Sequence, residues 1–155
     1  MNTFLPYRSF TQTAQCLDYK RLGKQRLESR QIIDILENKT NSKAWINHPA
    51  VLMWKGYEIA LKYYFNCVSQ EWVNRGYKHT MGVYFPIPQG ISLMMPWWIG
   101  GDYFHQSHQS NLVRKFPEHY RKYFPDVPDD LPYIWPTKQI GGTARCLPIG
   151  ELDIK

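Results

Sequence analysis

Asp18-Tyr19-Lys20-Arg21-Leu22-Gly23-Lys24-Gln25-Arg26-Leu27-Glu28-Ser29-Arg30 combines an apolar stripe with five cations between Lys20 and Arg30. Leu22, Ser29, Ile32, Ile33 and Leu36 recur at helical spacing. A helix is therefore expected from a cap at Thr11 or Thr13 to about Asn38. Lys20 and Lys24 share one side of it, and Arg21, Gln25 and Glu28 a neighbouring one. Gln25 sits in the apolar stripe, where an amide without partners costs a few kcal/mol, roughly. Two readings follow. The helix binds phosphates and its inner edge lines a site, or it shows a solvated charged face above a satisfied core Gln. The first is preferred. Gly23 costs the helix about 1 kcal/mol relative to Ala, which points to close approach of a backbone or a ligand.

Outward from this helix, residues 1–12 read as an extended lead-in. A polar linker spans Asn38 to Asn47. His48-Pro49 opens a second helix, with Pro at its permitted first position. Met53, Tyr57, Leu61, Tyr64, Val68 and Trp72 form its stripe, and Arg75-Gly76 ends it after about 25 residues. From 77 to 101 the spacing of Gly and Pro forbids a long helix; short strands or an irregular loop are expected between Val83 and Met95. A third helix is expected from Asp102 to Phe116, and a short piece from Pro117 to near Phe124. Four prolines between 125 and 136 imply extended surface chain. The fold class expected is mainly α: a compact single domain over residues 1–155, with two long helices and a mobile tail over 137–155.

The chain has 155 residues, 19 Lys plus Arg against 13 Asp plus Glu, and 15% aromatic residues. A positive, aromatic-rich chain suits a polyanion whose bases can be stacked. No apolar run is long enough to span a membrane, and the N-terminus lacks the features of a secretory signal. The three cysteines lack CxxC spacing, which disfavours a zinc ribbon or a disulfide scaffold.

Two further segments are rich in polar chemistry. His48 precedes a helix N-terminus, where free N–H groups attract anions; the alternative is a simple cap. His105-Gln106-Ser107-His108-Gln109-Ser110-Asn111 leads into Arg114 and Lys115. His105 and His108 lack a third metal ligand, so no metal and no cofactor is assigned. His108, Gln109, Ser110, Asn111, Arg114 and Lys115 read instead as DNA-contacting groups. His79 and His119 read as ordinary surface residues. P-loop, GxGxxG, HExxH and GxSxG patterns are all missing from the sequence.

Leu22-Gly23-Lys24-Gln25-Arg26, His48-Pro49-Ala50-Val51 with Met53-Trp54, Ser107-His108-Gln109-Ser110-Asn111 and Pro117-Glu118-His119-Tyr120 together resemble the pyrimidine-dimer DNA glycosylase (endonuclease V-like) family, most closely a bacterial and viral branch of it. The resemblance implies a compact helical fold and base excision from DNA. It implies an N-terminal amine that attacks the sugar, a Glu on the first helix that assists, and a lyase step that cuts the strand. The family's Glu falls on or near Gln25, which cannot exchange protons; Glu28, one turn on, or Asp18, two turns back, is the nearest carboxylate. The large Asn2 favours retention of Met1, so the attacking amine is that of Met1. An α-amine is in general about a tenth unprotonated at pH 7, an ordinary lysine only about 0.04%. Lys24, among other cations, is the reserve nucleophile.

The expected catalytic set is thus Met1, Lys24, Gln25 and Glu28. Arg21, Arg26, His48, Trp54 and the 108–115 group are expected to hold DNA, and Trp54, Trp97 or Trp98 to stack an extruded nucleotide. The expected partner is double-stranded DNA that is damaged or modified, with no membrane and no obligatory protein partner, and the expected location is the cytoplasm or nucleoid. Two alternatives stand beside the glycosylase: a catalytically inactive nucleic-acid-binding protein on the same scaffold, and a hydrolase or transferase acting on free nucleotides.

Overall fold

The computed structural model describes residues 1–41, 43–81, 85–87, 92–137 and 145–148. Among these residues six helices and two short strands follow one another: α1 Phe10–Cys16, α2 Tyr19–Leu36, α3 Pro49–Leu52, α4 Glu58–Asn74, β1 Ser92–Met95, α5 Asp102–Lys115, α6 Pro117–Tyr120 and β2 Arg145–Pro148. The fold is mainly α, as expected. Among the described residues no helix is long and apolar enough to cross a membrane.

The first expected helix is two helices. Ser9, not Thr11 or Thr13, caps α1 by accepting from the Gln12 N–H at 3.1 Å. The chain then extends at Leu17 and Asp18, and Asp18 caps α2 through the Arg21 N–H. The carbonyls left at the end of α1 need donors. Arg75 Nη2 reaches Ala14 O and Gln15 O at 3.1 and 3.0 Å, and His119 Nε2 reaches Cys16 O at 2.8 Å. His119 is therefore a tertiary cap and not an ordinary surface residue.

The second expected helix is also interrupted. His48 caps α3, but Gly56 adopts φ +89, a left-handed conformation that a helix cannot carry. Helix α4 starts only at Glu58 and ends, as expected, at Arg75-Gly76, with Gly76 at φ +92. The third helix and the short one after Pro117 form where expected, though α6 stops at Tyr120 and gives way to turns. β1 pairs antiparallel with β2, Ser92 opposite Pro148 and Met95 opposite Arg145. The expectation for Val83–Met95 is thus met by a strand at its end, while residues 82–84 and 88–91 lie outside the described residues. β2 belongs to the stretch expected to be a mobile tail; residues 138–144 and 149–155 lie outside the described residues.

Helix α2 packs along α4, and α1 packs on α4. Leu22, Ile32 and Ile33 meet Leu61, Tyr64, Phe65 and Val68 in one buried core with Phe10 and Trp54. Gly23 is where α2 admits a neighbour, and that neighbour is a ring: a Cβ there would stand 3.1 Å from the Trp72 indole. Trp72 cannot easily yield. Tyr77 stacks on it at 4.3 Å and the Arg26 guanidinium lies 4.4 Å from its ring centre. Gly23→Ala is accordingly expected to destabilise the fold by about 1 kcal/mol, overpacking outweighing the gain in helix propensity. A chemical-denaturation midpoint measures it.

Candidate active site

The site is built around residues 1–6, a segment outside helix and strand whose residues 3–6 are buried. A buried segment outside helices and sheets must satisfy its backbone elsewhere. Here side chains of other elements do so. The Asn2 N–H donates to Glu28 Oε2 at 2.6 Å, and Asn2 O accepts from Gln25 Nε2 at 3.2 Å. The Phe4 N–H donates to Gln25 Oε1 at 2.9 Å. The Tyr64 hydroxyl lies 2.6 Å from Gln25 Oε1 and 2.8 Å from Phe4 O, sharing one proton between them. Trp54 Nε1 donates to Thr3 Oγ1 at 3.0 Å. Helix α5 takes the next residues. The Leu5 N–H donates to His108 Nδ1 at 3.0 Å, Leu5 O lies 2.7 Å from His105 Nδ1, and Pro6 O accepts from Gln109 Nε2 at 2.8 Å.

These bonds fix both histidine tautomers. His105 Nε2 accepts from the Gly100 N–H, so its Nδ1 carries the proton donated to Leu5 O. His108 Nδ1 accepts, so its Nε2–H donates to Ile134 O at 3.2 Å. Tyr133 completes the clamp by donating to Asn2 Oδ1.

The segment opens onto a cavity of about 500 Å³ lined by Met1, Asn2, Phe4, Lys20, Arg21, Lys24, Gln25, Glu28, His48, Lys115 and Trp135. All four expected catalytic residues, Met1, Lys24, Gln25 and Glu28, meet in this wall. Arg21, His48 and Lys115 of the expected DNA-binding set join them. Lys20, read from the sequence as one of the five cations of a phosphate-binding helix, lies here too, while Trp135 was not singled out. Four cations surround one carboxylate, so the cavity attracts anions. Arg21 is held in place by Asp18 at 3.1 Å. Burial alone would raise the Asp18 carboxyl, but hydrogen bonds from Tyr120 and Arg21 outweigh it and its pKa falls below the usual range. His48 accepts the Ala50 N–H on Nδ1 at 3.0 Å. Burial lowers its pKa, the N-terminal ammonium pushes the same way and the Glu28 carboxylate opposes. Met1, Glu28 and His48 line the same cavity, and the lowered pKa favours the neutral imidazole.

Several expected DNA contacts lie elsewhere, each for a physical reason. Trp54 is fully buried, wedged against Tyr64 and Trp98, and has no face to offer a base. Trp98 is buried as well, its indole N–H on Met53 O; Trp97 is half-buried beside a separate cavity with Leu52 and Tyr57. Arg26 is buried against Trp72, with Nη1 3.0 Å from His79 Nδ1, so neither Arg26 nor His79 is a free surface group. The 107–111 polar run is an internal staple, not a DNA-facing surface. His108 and Ser110 are fully buried. Ser107 and Ser110 accept from the Ile134 and Leu131 N–H groups, holding the extended 131–135 chain beside α5. Gln109 holds Pro6, and Asn111 accepts from Arg114, whose other arm is on Asp129 O at 2.6 Å. Tyr64, Tyr133 and Trp135 were missed as site residues because nothing in an apolar stripe or a proline-rich run reveals where a hydroxyl or an indole will point. Among the described residues no group of three or more His, Cys, Asp or Glu could hold a metal.

His108 also makes stability depend on pH. Burial lowers its pKa from 6.5 to about 3. The folded state therefore resists a proton that the unfolded chain accepts near pH 6.5. The stabilisation is complete above that pH and is lost as pH falls from about 6.5 towards 3, at up to about 1.4 kcal/mol per pH unit. Denaturation midpoints across this range should slope accordingly in the wild type, and less steeply in His108→Gln, whose amide still accepts from Leu5.

A helical scaffold that bolts its own N-terminal segment beside a carboxylate and a ring of cations is suited to amine chemistry on a polyanion. The family model for pyrimidine dimer DNA glycosylase matches residues 1–85 of the 155, and the chain belongs to that family. At the level of the family it is a DNA-binding DNA glycosylase of DNA repair. No curated protein and no solved structure gives a significant match.

Proposed function

We propose that this protein excises a damaged or modified base from double-stranded DNA through its N-terminal amine and then cleaves the abasic strand as a lyase. One observation carries the reading: the buried lead-in delivers residues 1 and 2 to a basic cavity, with Glu28 Oε2 2.6 Å from the Asn2 nitrogen. The unprotonated amine attacks C1′ of the sugar. The C1′–N bond breaks, the base leaves with a proton, and ring opening yields an imine between amine and sugar. Glu28 is the group that takes and returns protons in these steps. Gln25, whose amide is committed to Asn2, Phe4 and Tyr64, positions the amine and does not titrate. The α-amine belongs to Met1 when that residue is kept. Removal of Met1 makes the Asn2 nitrogen the α-amine, already beside Glu28. Lys24 is the reserve nucleophile. Lys20, Arg21, Lys24 and Lys115 hold the phosphates flanking the reacting sugar. The chain acts as one domain, at DNA in the cytoplasm or nucleoid.

Borohydride trapping on duplex DNA with an abasic site, beside UV-irradiated DNA, tests this. The expected result is a covalent adduct that maps by mass to the N-terminal residue. An adduct on Lys24 overturns the assignment of the nucleophile. No adduct, with salt-sensitive DNA binding intact, overturns the amine mechanism and leaves water-based excision or a binding protein without chemistry.

A further inference from the structure

Beside the basic cavity lies a second one, of about 250 Å³, lined by Met1, Gln31, Asp34, Ile35, Thr40 and Trp45. Met1 belongs to both, so the two cavities meet at the N-terminal residue. Their walls are also continuous: the His48 ring touches Trp45 edge-on at 5.3 Å on one side and Trp135 at 5.6 Å on the other. The chemistry of the two differs. The larger is ringed by Lys and Arg. Among the described residues the smaller has no Lys or Arg side chain in its lining and offers one large aromatic surface, Trp45, which is 46% exposed. Around it stand an amide (Gln31), a carboxylate (Asp34) and the apolar Ile35. A sugar-phosphate fits the first environment and a nucleobase the second.

We infer that the smaller cavity is the base pocket: it takes one extruded base, stacked on Trp45 and read by Gln31 and Asp34, while the sugar sits at Met1. This deepens the function proposed above and rests on it. A single stacking face suits one base and not a cross-linked pyrimidine pair. Asp34 is bound on one oxygen by Arg30 at 3.4 Å and only accepts hydrogen bonds when ionised. It therefore selects a base whose edge donates, such as a modified adenine or cytosine carrying an exocyclic amino group.

The test separates two reactions. Incision at a preformed abasic site has no base to bind; excision does. Wild type, Trp45→Ala and Asp34→Asn are assayed on abasic duplex and on duplexes carrying one alkylated adenine, one alkylated cytosine, one oxidised carbonyl-rich pyrimidine or one pyrimidine dimer. Trp45 is exposed, so its loss spares the fold. The expected result is that Trp45→Ala lowers single-base excision about 10–100-fold, the usual worth of one stacked base, while abasic-site trapping stays within about twofold. The amino-bearing bases are excised at least about tenfold faster than the dimer, and Asp34→Asn narrows that preference. Parallel losses in both reactions, no loss in excision, preference for the dimer, or trapping without excision of any single base each overturn the pocket assignment. Failure of the wild type to trap at all overturns the amine mechanism instead.

Discussion

Glu28→Gln is expected to lower the rate of base excision by about 10²–10⁴-fold, the usual contribution of a positioned proton-transfer group, with little change in stability. The substitution isolates proton exchange from geometry. A Gln at this position still accepts from the Asn2 N–H through Oε1, so the 2.6 Å contact that orients the N-terminal residues has a replacement. Glu28 is half-buried at the cavity wall, so the amide has room and solvent for its added N–H groups. Binding to abasic DNA should be preserved or strengthened, because one negative charge leaves a cavity ringed by Lys20, Arg21, Lys24 and Lys115. Single-turnover excision, a binding isotherm and a thermal melt together check the claim. A Glu28→Gln protein with wild-type turnover removes Glu28 from the chemistry and leaves no proton-exchanging carboxylate in the cavity wall among the described residues.

Gln25→Ala is expected to act through stability. Gln25 is 1% exposed and its amide meets Phe4 N, Asn2 O and the Tyr64 hydroxyl. Truncation leaves the Phe4 N–H and Asn2 carbonyl without their partners, at about 1–3 kcal/mol for each buried group, and adds a cavity. A total loss of about 3–5 kcal/mol is expected, hence a fall in Tm of about 10 °C for a chain of this size. Excision falls as well, because the lead-in no longer holds its end against Glu28. The contrast between the two variants is diagnostic. Glu28→Gln loses rate at constant Tm, and Gln25→Ala loses both. A Gln25→Ala protein that melts with the wild type would show that the lead-in is held without it.

Much of the architecture was legible because it is written locally. The stripe from Leu22 to Leu36, the glycine end of α4 at Gly76 and the start of α5 after Gly101 depend on neighbours three or four residues away. The errors were also local. Leu17-Asp18 and Gly56 break helices that periodicity alone carried through. Asp18 extends because capping α2 and meeting Tyr120, remote in sequence, outweigh continuation of the turn.

The site was legible in part. Basic and acidic residues at helical spacing on α2 were readable as one wall, and Met1, Lys24, Gln25 and Glu28 do line one cavity. The 107–111 run was misread because a sequence of hydrogen-bonding side chains looks the same whether its partners are DNA or distant backbone. Its partners include Leu5, Pro6, Leu131 and Ile134, all remote in sequence.

By itself the sequence determined a basic, mainly helical chain with a charged first long helix, since residue type and short-range spacing dictate helix formation and net charge. Only the tertiary structure decided which polar groups face solvent and which hold the chain together. It turned Gln25 and His108 inward onto the N-terminal backbone and brought residue 2 to Glu28. The reason is physical: a buried segment outside helix and sheet must find hydrogen-bond partners, and the ones it finds are set by packing across the molecule, which short-range pattern does not encode.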